Sequence, residues 1–217
     1  MSKVTRKQIY ETWIDSEYGI RNNSELVKWA DVLGVSHAYV TKSWTWGKAK
    51  YVDGVVRSFH FFLRHKALFT NHRLQCFTNE LPYCKLCQRQ GMEVREDNAH
   101  VFVYCPRAYE LWHIVTPILR DISGIHQVPL VDLILGICYA HDKHKQCLFN
   151  FVVQHAQYAI WLSRKHLQNN NEERDAFDFF KENCFRSFCR LRVYMSLDYF
   201  LAYFSPLVTR SHSVIGF

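Results

Sequence analysis

Four residues constrain this chain more than any other feature. Cys84 and Cys87 form a C-x2-C pair, and His100 and Cys105 follow as an H-x4-C pair. Twelve residues separate Cys87 from His100. A C-x2-C turn lets two thiolates converge on one ion from a tight loop, and a second pair returning after a short excursion closes a tetrahedron. The spacing predicts one structural zinc ion held by Cys84, Cys87, His100 and Cys105. No fifth donor suggests itself, so no coordination position is reserved for chemistry. Three thiolates and a dication sum to a net negative charge, so zinc here would supply shape rather than positive charge.

The rest of the chain can bury a sizeable core. Of 217 residues 48% are apolar and 16% aromatic, while only 22% are charged, which excludes wholesale disorder. The polar, basic opening Met1 to Lys7 lacks the apolar stretch of a secretory signal. No run of apolar residues is long enough to cross a membrane as a helix. An intracellular location, nuclear or cytoplasmic and not secreted, is therefore expected, and with it reduced thiols. Cys76, Cys138, Cys147, Cys184 and Cys189 are expected to be small buried hydrophobes.

Apolar periodicity is helical nearly throughout. Helices are expected over Val4 to Glu17, Glu25 to Leu33 (capped by Ser24 and stopped by Gly34) and Ser36 to Trp46. One or two more are expected between Val55 and Phe77. Pro106 stands where a first helical residue would. Leu148 to Leu167 is the clearest helix, and Glu172 to Met195 should be another, acidic early and basic late. The fold class expected is all-α, a helical bundle with an inserted CCHC zinc knuckle. Three regions are expected: a basic helical region over 1–80, the knuckle and following helix over 81–123, and a C-terminal helical region over 124–217.

The formal charge is +7. The excess falls mainly before the knuckle, in a segment opposed only by Asp53. Lys48, Lys50, Arg57, Arg64, Lys66, His72 and Arg73 are the candidate phosphate contacts, without base specificity. A solvated helix face would show the same charges. Trp44 and Trp46 could stack bases, but packing of a core aromatic explains them better.

The residues around His100 add a resemblance. Glu96, His100, Cys105, Pro106, Ala108 and Trp112 fall on an acid four before the histidine, an apolar run and C-P-x-A-x-x-x-W. This stretch resembles the reverse transcriptase zinc-binding domain of non-LTR retrotransposons. Looser similarity extends upstream, through Lys28-Trp29 and Leu68 to Asn71, and downstream, through Leu133 to Ile137. The resemblance implies a non-catalytic module that engages template RNA, target DNA or both, next to a polymerase domain on a parent polypeptide. The aromatic-Ala-Asp-Asp motif of that polymerase is missing, since no Asp-Asp pair occurs. Phosphoryl transfer needs paired carboxylates to hold two metal ions, so no enzymatic activity is expected. The alternative is a zinc-stapled protein-interaction module, a domesticated relic of such an element.

Overall fold

The computed structural model describes residues 24–46, 52–65, 67–76, 78–79, 81–138 and 142–194, with positions 196, 198 and 204. The helix expected over Val4 to Glu17 lies outside them. The chain divides into two compact units, Met1–Lys42 and Ser43–Phe217. The sequence-based boundaries near 80 and 123 therefore fall inside the second unit. Helices are α1 (Ser24–Leu33), α2 (His37–Trp46), α3 (Gly54–Arg64), α4 (Asn71–Leu74), α5 (Lys85–Arg89), α6 (Pro106–Ser123), α7 (Leu130–Leu135), α8 (Lys143–Asn170) and α9 (Ala176–Tyr194). A π-helical turn, His100–Tyr104, precedes α6. The fold is all-α: among the described residues the one extended pairing is an isolated bridge between Tyr83 and Arg95.

In the first unit, α1 stops at Gly34, whose φ of 64° suits a residue without Cβ. The Val35 amide then donates back to the Ala30 carbonyl at 3.0 Å, closing the helix end. The boundary between the units falls inside α2.

The second unit is organised around α8. Asp142 caps its start by accepting from the Lys145 amide at 2.9 Å. Asn171, at φ 54°, ends it in the left-handed region. Helices α3, α5, α6, α7, α9 and the π turn all pack against it. The apolar stripe expected there, Phe149, Val152, Val153, Ala156, Ile160 and Trp161, is buried. So is a second, polar stripe that helical periodicity does not reveal: Asn150, Gln154, Gln157 and Arg164. These lie one or two helical turns apart along α8, and Asn150, Gln157 and Arg164 bond to groups of remote segments.

Asn150 pairs with both polar groups of Ile137, accepting from its amide at 2.8 Å and donating to its carbonyl at 3.1 Å. Gln157 donates to the Leu133 and Ile134 carbonyls at 2.6 and 3.1 Å. The C-terminal end of α7 is thereby satisfied by a neighbouring helix. Replacing Asn150 with leucine strands a buried amide and carbonyl together. The expected loss is about 2–4 kcal/mol, read as a lower denaturant midpoint with unchanged slope.

His155, also on α8, bonds a carbonyl and a hydroxyl rather than a carboxylate. Its ring lies 2.8 Å from the Phe151 carbonyl through Nδ1 and 2.8 Å from the Ser187 hydroxyl through Nε2, tying α8 to α9. Burial lowers its pKa to about 4, so the imidazole is neutral near pH 7. This serine–histidine pair is sealed in the core, with His155 wholly buried.

Two expectations change. Helix α9 starts at Ala176, so Glu172 and Glu173 precede it, and Asp175 accepts from the Phe177 amide at 2.8 Å at its start. Of the five thiols expected to be buried, Cys184 is, Cys147 is half-buried, and Cys76, Cys138 and Cys189 are exposed. A small side chain on a helix carries no periodic signal of its own, so its face is set by its neighbours.

Candidate metal centre

The knuckle is built by backbone first. Cys84 stands at the N-cap of α5 and Cys87 one turn into it. Gly91, at φ 77°, reverses the chain after α5. The returning strand-like segment pairs with the approach: the Cys84 amide donates to Val94 at 2.9 Å and the Glu96 amide to Pro82 at 2.8 Å. Asp97 then accepts from the His100 amide at 2.8 Å, starting the π turn.

That turn explains the H-x4-C spacing. In an α-helix five residues advance about 500°, leaving His100 and Cys105 on different sides. Here the Cys105 amide donates to the His100 carbonyl at 2.7 Å, an i to i+5 bond that widens the turn and brings both ligands round together. Pro106 then begins α6 at the position expected, where a missing amide hydrogen costs nothing.

The donor atoms of Cys84, Cys87, His100 and Cys105 all lie within 4.8 Å of one another, and all four residues are buried. Cys84 Sγ is 4.0 Å from Cys105 Sγ, and Cys87 Sγ is 3.4 Å from His100 Nε2. These are ligand–ligand separations, far too long for a disulfide. A hydrogen bond from the Cys105 thiol holds Cys84 down to about 3. Burial pushes Cys87 up to about 11, and Cys105 is pushed up by its role as donor to Cys84 and by burial. Mutual repulsion and burial oppose more than one negative charge on three sulfurs this close. Ionising all three requires a cation between them. The cluster can hold a metal ion.

Glu96 lies in the same structure and clamps it. Its carboxylate accepts from Arg164 Nε and Nη2 at 2.8 and 2.6 Å, and from the Asn71 amide at 2.8 Å. Arg164 and Glu96 side chains are 3% and 2% exposed. Burial pushes the Glu96 carboxyl up, while the Arg164 guanidinium and the Asn71 amide pull it back. Arg164 also donates to Asn71 Oδ1 at 3.0 Å, Gln168 donates to the same oxygen, and Asn71 Nδ2 donates to the Tyr83 carbonyl at 2.7 Å. One buried network thus joins α4, the knuckle and α8.

The cationic residues of α5 close the same contact. Lys85 reaches the Gln168 carbonyl at 3.2 Å, and Arg89 reaches the Asn171 carbonyl at 2.6 Å. Both meet the negative end of the α8 dipole. Beside the network, Phe59 of α3, Phe102 of the π turn and Trp161 of α8 form an aromatic cluster, with centroids 6.0–6.4 Å apart. Arg164 lies 4.5 Å above the Trp161 ring. Trp112 is buried and donates to the Phe102 carbonyl at 2.9 Å.

The sequence names all four residues that the fold brings into this cluster, and Glu96 beside them. It does not name Arg164, which reads as an ordinary charge in a long helix 68 residues away.

The candidate phosphate contacts are scattered by comparison. Lys48, Lys50 and Lys66 lie outside the described residues. Arg57 is exposed and donates to the Val52 carbonyl at 3.3 Å. Arg64 turns inward, donating to the Ser43 and Leu135 carbonyls at 3.0 and 3.3 Å, and burial lowers its pKa to about 10. His72 and Arg73 are half-buried; Arg95 lies 2.5 Å from His72 Nε2, and Arg73 sits 5.5 Å from the Phe69 ring centroid. Asp53, the acid in this segment, caps α3 and pairs with Arg190. No described helix is long and apolar enough to cross a membrane. In comparisons with known proteins, no family model, curated protein or solved structure matches this chain.

Proposed function

We propose that the chain is a zinc-stapled, non-catalytic nucleic-acid-binding module of the kind found in the C-terminal region of non-LTR retrotransposon reverse transcriptases. Zinc is the ion that suits the donors. A tetrahedron with Zn–S near 2.3 Å and Zn–N near 2.0 Å has edges of about 3.8 Å between sulfurs and about 3.5 Å from sulfur to nitrogen. Of the six separations, Cys84–Cys105 is 4.0 Å and Cys87–His100 is 3.4 Å, and all lie within 4.8 Å. Three thiolates and an imidazole favour zinc over hard cations.

One observation carries the family reading: each of the four non-ligand residues of the pattern has a structural part beside this site. Glu96 pairs with Arg164, Pro106 opens α6, Ala108 is fully buried, and Trp112 bonds the π turn. A chance alignment would leave some of them on the surface. The nucleic-acid surface assigned here is the outer face of α3 and the approach to α4. Arg57, Phe61 and Phe62 are exposed there, and Phe69 is exposed beneath Arg73. Guanidinium groups among exposed rings suit phosphates and unstacked bases. Arg64 is left out, because its guanidinium is spent on backbone carbonyls.

The test is affinity for single-stranded RNA, structured RNA and duplex DNA at 50 and 200 mM salt. Two phosphate contacts, at Arg57 and Arg73, imply roughly tenfold weakening between those conditions. Arg57→Glu with Arg73→Glu should cost at least about tenfold at the lower salt. Binding that ignores salt, or survives the double reversal, would overturn the reading in favour of a protein-interaction module.

A further inference from the structure

We infer that Arg107 is the counter-charge of the metal centre, its buried guanidinium neutralising the thiolate cluster around Cys87 and Cys105. The inference rests on the metal reading of that cluster. Arg107 is 6% exposed, and its Nη2 is buried with no hydrogen-bond partner. No carboxylate pairs with it among the described residues. A buried, unpaired guanidinium is expensive. Its place makes it more so. Arg107 is in the first turn of α6, which holds no acidic residue, and the dipole end there is positive. A cation is retained at such a position only if negative charge lies close by.

The cluster supplies that charge. Three thiolates, a neutral imidazole and a divalent ion carry a net −1, buried beside the start of α6. With Arg107 the assembly is neutral. Arg107 stands two positions after Cys105 at the start of α6, buried and within electrostatic reach of the Cys87 and Cys105 sulfurs. The start of α6 therefore does three jobs within three residues. Cys105 ligates, Pro106 fixes the helix entry, and Arg107 balances the charge. Arg107 is a positioning and charge-balancing residue, since it acts on the metal through the sulfurs.

Zinc affinity measured by competition with a chromophoric chelator tests this. Arg107→Met should weaken binding about 10–100-fold, the usual cost of losing an outer-shell partner. Arg107→Lys keeps the charge and should stay within about threefold of wild type. A second readout is alkylation of the zinc-loaded protein by iodoacetamide. Uncompensated thiolates are stronger nucleophiles, so Arg107→Met should react faster and Arg107→Lys at the wild-type rate. If Arg107→Met fails to fold, Arg107→Gln, polar but uncharged, takes its place with the same expectation. Equal affinity in wild type and uncharged variants overturns the role of Arg107 and leaves the metal site standing. Absence of zinc uptake by the wild-type chain overturns both.

Discussion

Cys84→Ser is expected to lose the metal and to lower the melting temperature by roughly 8–16 °C, about 4 kcal/mol for a chain of this size. The magnitude follows from mass action. An ion bound only by the folded state stabilises it by RT ln(1 + [M]/Kd), about 4 kcal/mol at a thousandfold excess over Kd. Cys84 is the right position because it belongs to the cluster that can hold a metal ion and stands at the N-cap of α5. Serine is close to cysteine in size, and the Cys84 side chain makes no capping hydrogen bond, so the loss reports on ligation. Chelation of the wild-type protein should produce the same drop, and acid should do so too, since protons compete for all four donors. Cys189→Ser, an exposed thiol outside the cluster, should move the midpoint by less than about 0.5 kcal/mol. A wild-type protein that melts identically with and without chelator would remove the metal from the account.

Arg164→Met carries the second large expectation. It leaves the Glu96 carboxylate 2% exposed with its main partner gone. Removing one member of a buried pair typically costs 3–5 kcal/mol, because the remaining charge is desolvated and unpaired. Methionine keeps the packing over Trp161, so most of the loss should be electrostatic. Glu96→Leu with Arg164→Met removes both charges and should recover part of the loss. The double variant should be at least about 1 kcal/mol more stable than the two single effects predict when added. Additive losses would mean that the pair is not coupled. Metal affinity should fall in Arg164→Met as well, since Glu96 follows directly on the backbone pairing that orients Cys84.

Much of this site was legible in the sequence because its determinants are local. The Cys/His quartet sits within 22 consecutive positions, and thiols and an imidazole at such spacing point to a metal ion. Glu96, Pro106 and Trp112 were legible for the same reason. The partners of those residues were not. Arg164 is helical and distant, and a charge on a long amphipathic pattern reads as solvated surface. Arg64 illustrates the same failure in reverse. It was taken for a phosphate contact on charge alone, yet its long side chain reaches back to two carbonyls. The buried polar stripe of α8 was invisible too. Asn150 and Gln157 answer the unsatisfied backbone of a remote segment, which no periodicity encodes. The π turn left one trace, the four-residue gap between His100 and Cys105, but its meaning needed the backbone.

The polar stripe of α8 has a consequence for cooperativity. The C-terminal end of α7, the short helix α4 through Asn71, and the knuckle each rest on side chains of one helix. None of them can detach without stranding a buried donor or acceptor on α8, and α8 cannot fray past Arg164 without releasing the knuckle. Their opening free energies are therefore linked. Amide protons in these short, irregular segments should exchange with the slow population of a long central helix, as members of one foldon, although each segment alone has the look of a loop.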